Sequence, residues 1–221
     1  MQENMQGKNI FEIVLTGGPC SGKTTFLKDA VPLLEKKGFK VLVMNEVPVE
    51  FYNSGIRSSD LSEFDFRSMI IERILKNQEN LRQVAKACCD KGQKVVIFYD
   101  RGLMDNKGFC SPEVWNQLLT EFKLSEASIN ADYDAVFDLE TVAVVSDTLW
   151  NLHGGEVPAR YQKTPKEAIV REEQIRKHWG GHHHFVVFEN GEFGWQNKFQ
   201  KIFNAVCSVL GLDPEFDMSL P

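Results

Sequence analysis

Residues Leu15 to Phe26 read LTGGPCSGKTTF. Gly17 and Gly22 bracket four residues, and Lys23-Thr24 follow at once. This is the spacing of a phosphate-binding loop. Phosphate needs many donors at close range. Glycines let the backbone curl until successive N–H groups point inward, and a helix that starts at the loop adds partial positive charge. The lysine can reach the β- and γ-phosphates, and the threonine hydroxyl can ligate Mg²⁺. Gly17, Gly18, Pro19, Cys20, Ser21, Gly22, Lys23, Thr24 and Thr25 are therefore the candidate residues for binding ATP or GTP with Mg²⁺. Lys23 is expected to face solvent. Cys20 reads as a small residue that fits the loop, with a redox-sensitive thiol as the alternative.

Such a loop joins a strand to a helix, and both are present. IFEIVLT (10–16) is short, apolar and β-branched, as a buried strand should be. A helix is expected over 23–37, ending at Gly38, with Pro32 kinking or breaking it. KVLVMNE (40–46), KVVIFYD (94–100), YDAVFDLE (133–140) and HFVVFE (184–189) read as four more strands. Between them, Phe66, Ile70, Ile74, Gln78, Leu81, Ala85 and Cys88 recur at helical spacing. They predict one long helix, or two nearly collinear ones, over 65–91. Ser111-Pro112 is an N-cap followed by a first-turn proline. Thr164 to Glu167 has capping-box spacing. Trp195, Phe199, Ile202, Phe203, Val206 and Leu210 mark a last amphipathic helix. Five strands alternating with helices define an α/β fold with a parallel sheet covered on both faces.

In such sheets ligands bind at the carboxyl ends of the strands. Gly17, Glu46, Asp100, Glu140 and Asn190 all fall there. Asp100, in YDRG, can hold Mg²⁺ or take a proton from an acceptor hydroxyl, and Arg101 can neutralise a transferring phosphate. Glu46 can act as general base or hold a substrate hydroxyl. Asp105 is a weaker candidate. The plainer alternatives are a strand-end cap for Asp100 and an exposed charge for Glu46. Asn190 is expected to border the base. Residues 141–183 form a polar excursion rich in Arg160, Lys163, Lys166, Arg171, Arg176 and Lys177 within an acidic chain. They read as a lid, with Arg160 the arginine expected to act. The alternative is a solvated helix with ion pairs to Glu172 and Glu173. The triple histidine of GGHHHF (180–185) reads as a loop entering the fifth strand. Adjacent histidines point apart, and no Cys-x-x-Cys or His-x-x-x-His partner is near to complete a zinc site.

The whole chain narrows the class further. Its 221 residues suit one α/β domain spanning 1–221. The formal net charge of -6 argues against a partner that is a nucleic-acid polymer. No apolar run is long enough to span a bilayer, and MQENMQGKN lacks the apolar core of a signal peptide. Five cysteines at irregular spacing suggest reduced thiols and a cytoplasmic location.

The stretches IVLTGGPCSGKTT, NEVP, YDRGLMD, YDAVFDLET and HWGGHHHFVVFENGEFGWQNKF occur in that order. Together they resemble the P-loop NTPase domain of the TRPL translocation defect protein family, grouped with AAA-type domains. That group is related to the nicotinamide riboside kinase domains of bacterial NAD regulators and, more distantly, to thymidylate and deoxynucleoside kinases. The resemblance covers about residues 9–210. It implies strand order 2-3-1-4-5 and Mg-nucleotide at Lys23 and Thr24. It also implies that Glu46 is the acceptor-activating carboxylate, Asp100-Arg101 an acidic-Arg pair, and Arg160 a lid arginine. Where the group has Gly-His-Pro-His, this chain has Gly181-His182-His183-His184. The expected function is γ-phosphoryl transfer to a nucleoside, nucleotide or other small hydroxyl compound. The alternative is a regulatory NTPase with slow hydrolysis that signals through lid ordering. The missing Asn-Lys-x-Asp guanine signature disfavours an ordinary small GTPase, and oligomeric state is not legible in these motifs.

Overall fold

The computed structural model describes residues 8–154, 164–191 and 194–213. Its elements, in chain order, begin with β1 (Ile10–Thr16), α1 (Lys23–Lys36), β2 (Phe39–Met44), α2 (Val47–Asn53), α3 (Glu63–Cys89) and β3 (Lys94–Asp100). A 3-10 segment (Leu103–Phe109), α4 (Pro112–Glu121), α5 (Glu126–Ala131) and β4 (Ala135–Leu139) follow. The chain then forms α6 (Asp147–Gly154), α7 (Pro165–Trp179), β5 (Phe185–Phe188) and α8 (Gly194–Leu210). The strands make one parallel sheet of order β2-β3-β1-β4-β5, the order the family resemblance implied.

Strand alternation divides the core into two layers. Phe11, Ile13, Leu15, Val96, Phe98 and Phe137 face Phe26, Leu34, Phe199, Phe203 and Val206 of α1 and α8. On the other face Val14, Val95, Ile97, Tyr99 and Val136 meet Phe66, Ile70 and Ile74 of α3, Trp115 of α4, and Ile175 and Trp179 of α7. Two polar groups in this second layer are matched. Gln78 of α3 donates to the Tyr133 hydroxyl at 2.6 Å, which explains why an amide sits within the apolar stripe. Glu12 of β1 receives Arg82 of α3 through Nε and NH2 at 2.8–3.0 Å.

Several expectations need adjustment. The helix after the loop runs unbroken through Pro32. Pro32 and Lys28 both lie on the exposed side, where water can serve the carbonyl the proline leaves free. The second strand stops at Met44, so Glu46 is not a strand end but the N-cap of α2. The long helix is single and starts at Glu63, because Ser62 Oγ accepts from Asp65 N and fixes its first turn. Both expected caps are formed: Ser111 Oγ accepts from Val114 N, and Thr164 Oγ1 from Glu167 N. The helical excursion at 141–183 is present, but α7 within it is anchored. Ile175 and Trp179 are fully buried in the second core layer. Residues 155–163 lie outside the described residues.

Trp179 meets Tyr133 edge-on at 5.7 Å between centroids. Trp179→Ala should cost about 3–5 kcal/mol in urea denaturation, with the slope against urea unchanged. A loss under about 1 kcal/mol would mean that α7 is not part of the cooperative core.

Candidate functional site

The loop between β1 and α1 is held by close backbone approaches. Gly17 has φ 124, and a Cβ there would lie 2.1 Å from the Leu139 carbonyl oxygen. Gly22 has φ 94, and its Cβ would lie 2.3 Å from the Trp195 ring. No larger residue fits either position. Cys20, between them, adopts the left-handed region at φ 57. Its side chain packs against a small cluster of Ala143, Trp150 and Ala168, in keeping with the packing reading of that residue. The first N–H groups of α1 have no intrahelical partner and open onto the loop.

Lys23 does not face solvent as expected. It is only 8% exposed, and its ammonium donates to Gly18 O at 3.1 Å, Ser21 Oγ at 3.1 Å and Gly17 O at 3.3 Å. As the first residue of α1 it projects back into the curl of its own loop. Burial lowers its pKa, and repulsion from Arg101 adds to the effect. Thr24 and Thr25 are exposed beside it.

The acidic side of the site converges on Arg101. Its Nε donates to Glu46 Oε1 at 2.8 Å and its NH1 to Gly17 O at 3.2 Å, while Asp105 Oδ1 lies 3.8 Å from NH1. Its backbone is left-handed, with φ 73. Asp105 is buried and accepts from Gly102 N at 2.7 Å and from the Thr16 hydroxyl. It braces the turn after β3 and also lines the cavity beside Lys23. Asp100 differs. Its Oδ1 is buried without a hydrogen-bond partner among the described residues, and burial raises its pKa. Asp100 and Thr24 line one cavity, and a carboxylate with an unpartnered oxygen beside a threonine fits the donor set Mg²⁺ takes, directly or through water. Lys23, Thr24, Glu46, Asp100, Arg101 and Phe109 line that cavity of about 290 Å³.

Two buried charges behind the loop were not singled out from sequence. Glu172 of α7 accepts from Gly18 N at 3.0 Å and Thr141 N at 2.7 Å through one oxygen, and from Arg176 at 3.0 Å through the other. Arg176 Nε also donates to Asp138 Oδ2 at 2.6 Å. Burial, with Asp138 nearby, pushes Glu172 up to about 7. The alternative reading of the excursion placed Glu172 in a solvated ion pair, whereas it forms a buried clamp on the phosphate loop. Lys198 of α8 donates to Glu140 O at 2.6 Å, Asn190 Oδ1 at 2.9 Å and Ser21 O at 3.2 Å, and burial pulls it down to about 8. A lysine on the apolar face marked by Trp195, Phe199 and Ile202 was its one sequence signal. Asn190 lies after β5 as expected. Its amide donates to the carbonyls of Thr141 at 2.8 Å and Glu140 at 3.3 Å, so it ties the loops that border the site. Arg160 lies outside the described residues. In the triple histidine, His182 is buried between the Tyr133 carbonyl, 3.0 Å from Nε2, and His184 N, which donates to Nδ1 at 3.1 Å. That pairing fixes the turn into β5.

The sheet order, the glycine-lysine loop at its centre and the carboxylates at the strand ends define a P-loop nucleotide-binding domain. A family model described as AAA domain matches residues 12–194, and the chain belongs to that family. Two solved structures of NadR share the fold. NadR in complex with NR has a TM-score of 0.67 and 15% identity, over 96% of this chain and 54% of that one. NadR in complex with NAD and AMP-PNP has a TM-score of 0.62 and 14% identity, over 96% of this chain and 52% of that one. The chain thus spans about half the length of these structures, and identity this low carries the fold alone. No curated protein sequence matches it. Among the described residues no helix is long and apolar enough to cross a membrane.

Glu172 gives a pH test. Its folded value of about 7 lies above its ordinary 4.5. Its contribution to stability is therefore full below about pH 4.5 and is lost as pH rises through about 7, on the order of 3 kcal/mol at most. Glu172→Gln keeps an acceptor for both backbone N–H groups but cannot ionise. Denaturant titrations at pH 5 and pH 8 should show the wild type losing more stability than the variant across that interval. Equal losses would mean that Glu172 does not titrate there.

Proposed function

We propose that this chain is a Mg-dependent P-loop phosphotransferase. It would move the γ-phosphoryl group of ATP or GTP to a nucleoside, a nucleotide or another small hydroxyl compound. The observation that carries this reading is the cavity beside Lys23, walled by Glu46, Asp100 and Arg101. Sensing a nucleotide needs the phosphate loop alone, whereas a polar cavity that runs from the loop to Glu46 and Arg101 suits a second reactant. The roles follow from the chemistry. Loop residues 17–25 hold the phosphates, and Lys23 exchanges its carbonyl partners for phosphate oxygens. Mg²⁺ bound at Thr24 and Asp100 would neutralise charge on the β- and γ-phosphates. Glu46 takes the proton of the acceptor hydroxyl as its oxygen bonds to the γ-phosphorus. The bridge to the β-phosphate breaks, and the nucleoside diphosphate leaves. Arg101 offsets charge on the group in transit, with Arg160 as its partner from the lid.

Further support comes from what the NadR structures contain, NR in one and NAD with AMP-PNP in the other, and from the motif likeness to the translocation-defect P-loop domains. Five unpaired thiols favour a reducing, cytoplasmic setting. A second reading, a regulatory NTPase, is favoured by one contact. Glu172 joins α7 to Gly18 N, so loop occupancy can be passed to the helix.

Purified protein is tested by thermal shift and nucleoside-diphosphate release with Mg-ATP or Mg-GTP and a nucleoside and nucleotide panel. Lys23→Ala should remain folded and weaken nucleotide binding about 100-fold, that is by ~2.7 kcal/mol. Glu46→Gln should bind nucleotide as the wild type does and lower kcat about 10²–10⁴-fold. If no acceptor raises diphosphate release above the basal rate, the regulatory reading takes its place.

A further inference from the structure

Phe109 closes the 3-10 segment after β3, and three guanidinium groups surround its ring. Arg171 of α7 lies 4.8 Å from the ring centroid, Arg67 of α3 5.3 Å and Arg101 5.9 Å. They reach one ring from three separate elements. Arg101 is matched by Glu46 and Asp105. Arg67 is buried and also lies over the Phe66 ring at 5.5 Å. Arg171 has no carboxylate within ion-pair distance among the described residues. Burial and repulsion from Arg67 and Arg101 make its charge harder to hold. Ring contacts relieve part of this repulsion, but an aromatic face is a weak counter-charge beside an oxyanion.

The cluster borders open space. A cavity of about 270 Å³ is lined by Ser58, Glu63, Phe66, Arg67, Phe109 and Arg171. Arg67 and Phe109 also line the cavity beside Lys23, so the two spaces adjoin at these residues. Among the described residues Glu63 is the single acid in this lining, and its carboxylate receives Ser111 N at 3.0 Å and Ser111 Oγ at 3.2 Å.

We infer that the Arg67–Phe109–Arg171 cluster is an oxyanion subsite, and that the second reactant carries a phosphate monoester seated there. The Arg171 guanidinium can present paired N–H donors to an oxyanion, and the second positive charge of Arg67 beside it favours a dianion over a neutral group. The phosphoryl acceptor is then an already phosphorylated small molecule, such as a nucleoside monophosphate, and not a neutral nucleoside. The word acceptor rests on the transfer reading, whereas the subsite would take a phosphate monoester whether or not transfer follows.

The test measures binding of four nucleosides (adenosine, guanosine, uridine and thymidine) and their 5′-monophosphates to the full chain saturated with Mg-AMP-PNP. It uses wild type, Arg171→Gln and Arg171→Lys. At least one monophosphate should bind tenfold or more tightly than its nucleoside. Arg171→Gln should remove that preference, Arg171→Lys should keep part of it, and neither should change nucleoside affinity. The preference should also shrink as salt is raised from low to physiological strength. The inference is overturned if no monophosphate is preferred, or if Arg171→Gln prefers it as strongly as the wild type. Should the glutamine variant unfold, the lysine variant and the salt dependence decide by the same criteria. Turnover of neutral nucleosides without monophosphate preference would keep the transfer reading and sink the subsite. A preference lost in Arg171→Gln, with no turnover of any compound, would keep the subsite and sink the transfer reading.

Discussion

The Arg101 guanidinium ties together the loops that follow three neighbouring strands. It bonds Gly17 O after β1 and Glu46 after β2, and it lies near Asp105 in the turn after β3, its own strand. These contacts explain a backbone that otherwise has no reason to exist. A non-glycine residue at φ 73 carries local strain of order 1–3 kcal/mol and persists only where its surroundings over-determine it. Here Arg101 N donates to Leu15 O at 3.0 Å, extending the β1–β3 ladder by one step, and the half-buried side chain meets a carbonyl and two carboxylates. The strained turn aims the guanidinium across the strand ends. Without it, Glu46 would lose its guanidinium partner and the cavity wall would lose the cation that sets its charge pattern.

The same loops are held from behind by charges that use the loop's own backbone. Lys23 bonds two carbonyls of the curl, Glu172 accepts one of its N–H groups, and Lys198 donates to Ser21 O. Cation and anion meet opposite ends of the backbone dipoles, so the loop is shaped before any phosphate arrives. Preorganisation of this kind limits the ordering that binding must supply. It also sets a competition, since the Lys23 ammonium must leave its carbonyls to meet a phosphate. Glu172 can stay, because it meets Gly18 N from the α7 side of the loop.

What could be read from sequence divides along a physical line. β1, β3 and the phosphate loop were legible because each is local: an apolar run bounded by glycines or by a charged end. The caps at Ser111 and Thr164 were legible for the same reason. Glu46 lines the cavity beside Lys23, but its element was not legible, because α2 is a short helix whose apolar positions, Val47 and Phe51, merge with the preceding strand. Lys23 was misread as solvent-facing because its burial comes from a loop closing over it, which no periodicity records. Glu172 sits on a helix whose polar spacing looks like a solvated face, Lys198 on an apolar face that does not say what it meets, and Arg171 on the same helix as Glu172. Their partners are 154, 177 and 62 residues away in sequence, at Gly18, Ser21 and Phe109. Contacts at such separation leave no mark on one chain.

An acidic protein that handles acidic ligands must concentrate its cations. The chain carries a net charge of -6, yet Lys23, Arg67, Arg101 and Arg171 gather around one groove. Charges confined by low-dielectric walls act at longer range inside a cleft than on an open surface. The acids in the same groove are not spread evenly. Glu46 and Asp105 sit against Arg101, and Asp100 lies beside Lys23 at the phosphate loop. Among the described residues the Phe109 end has one acid, Glu63, which is engaged by Ser111. The groove therefore has a mixed-charge end, suited to a metal-bound triphosphate and a proton acceptor. Its other end is cationic and apolar, suited to an anion carried on a flat ring. A neutral reactant would gain little from that second end, and Arg171 would keep no carboxylate partner among the described residues. That asymmetry is the reason to look for a phosphorylated reactant first.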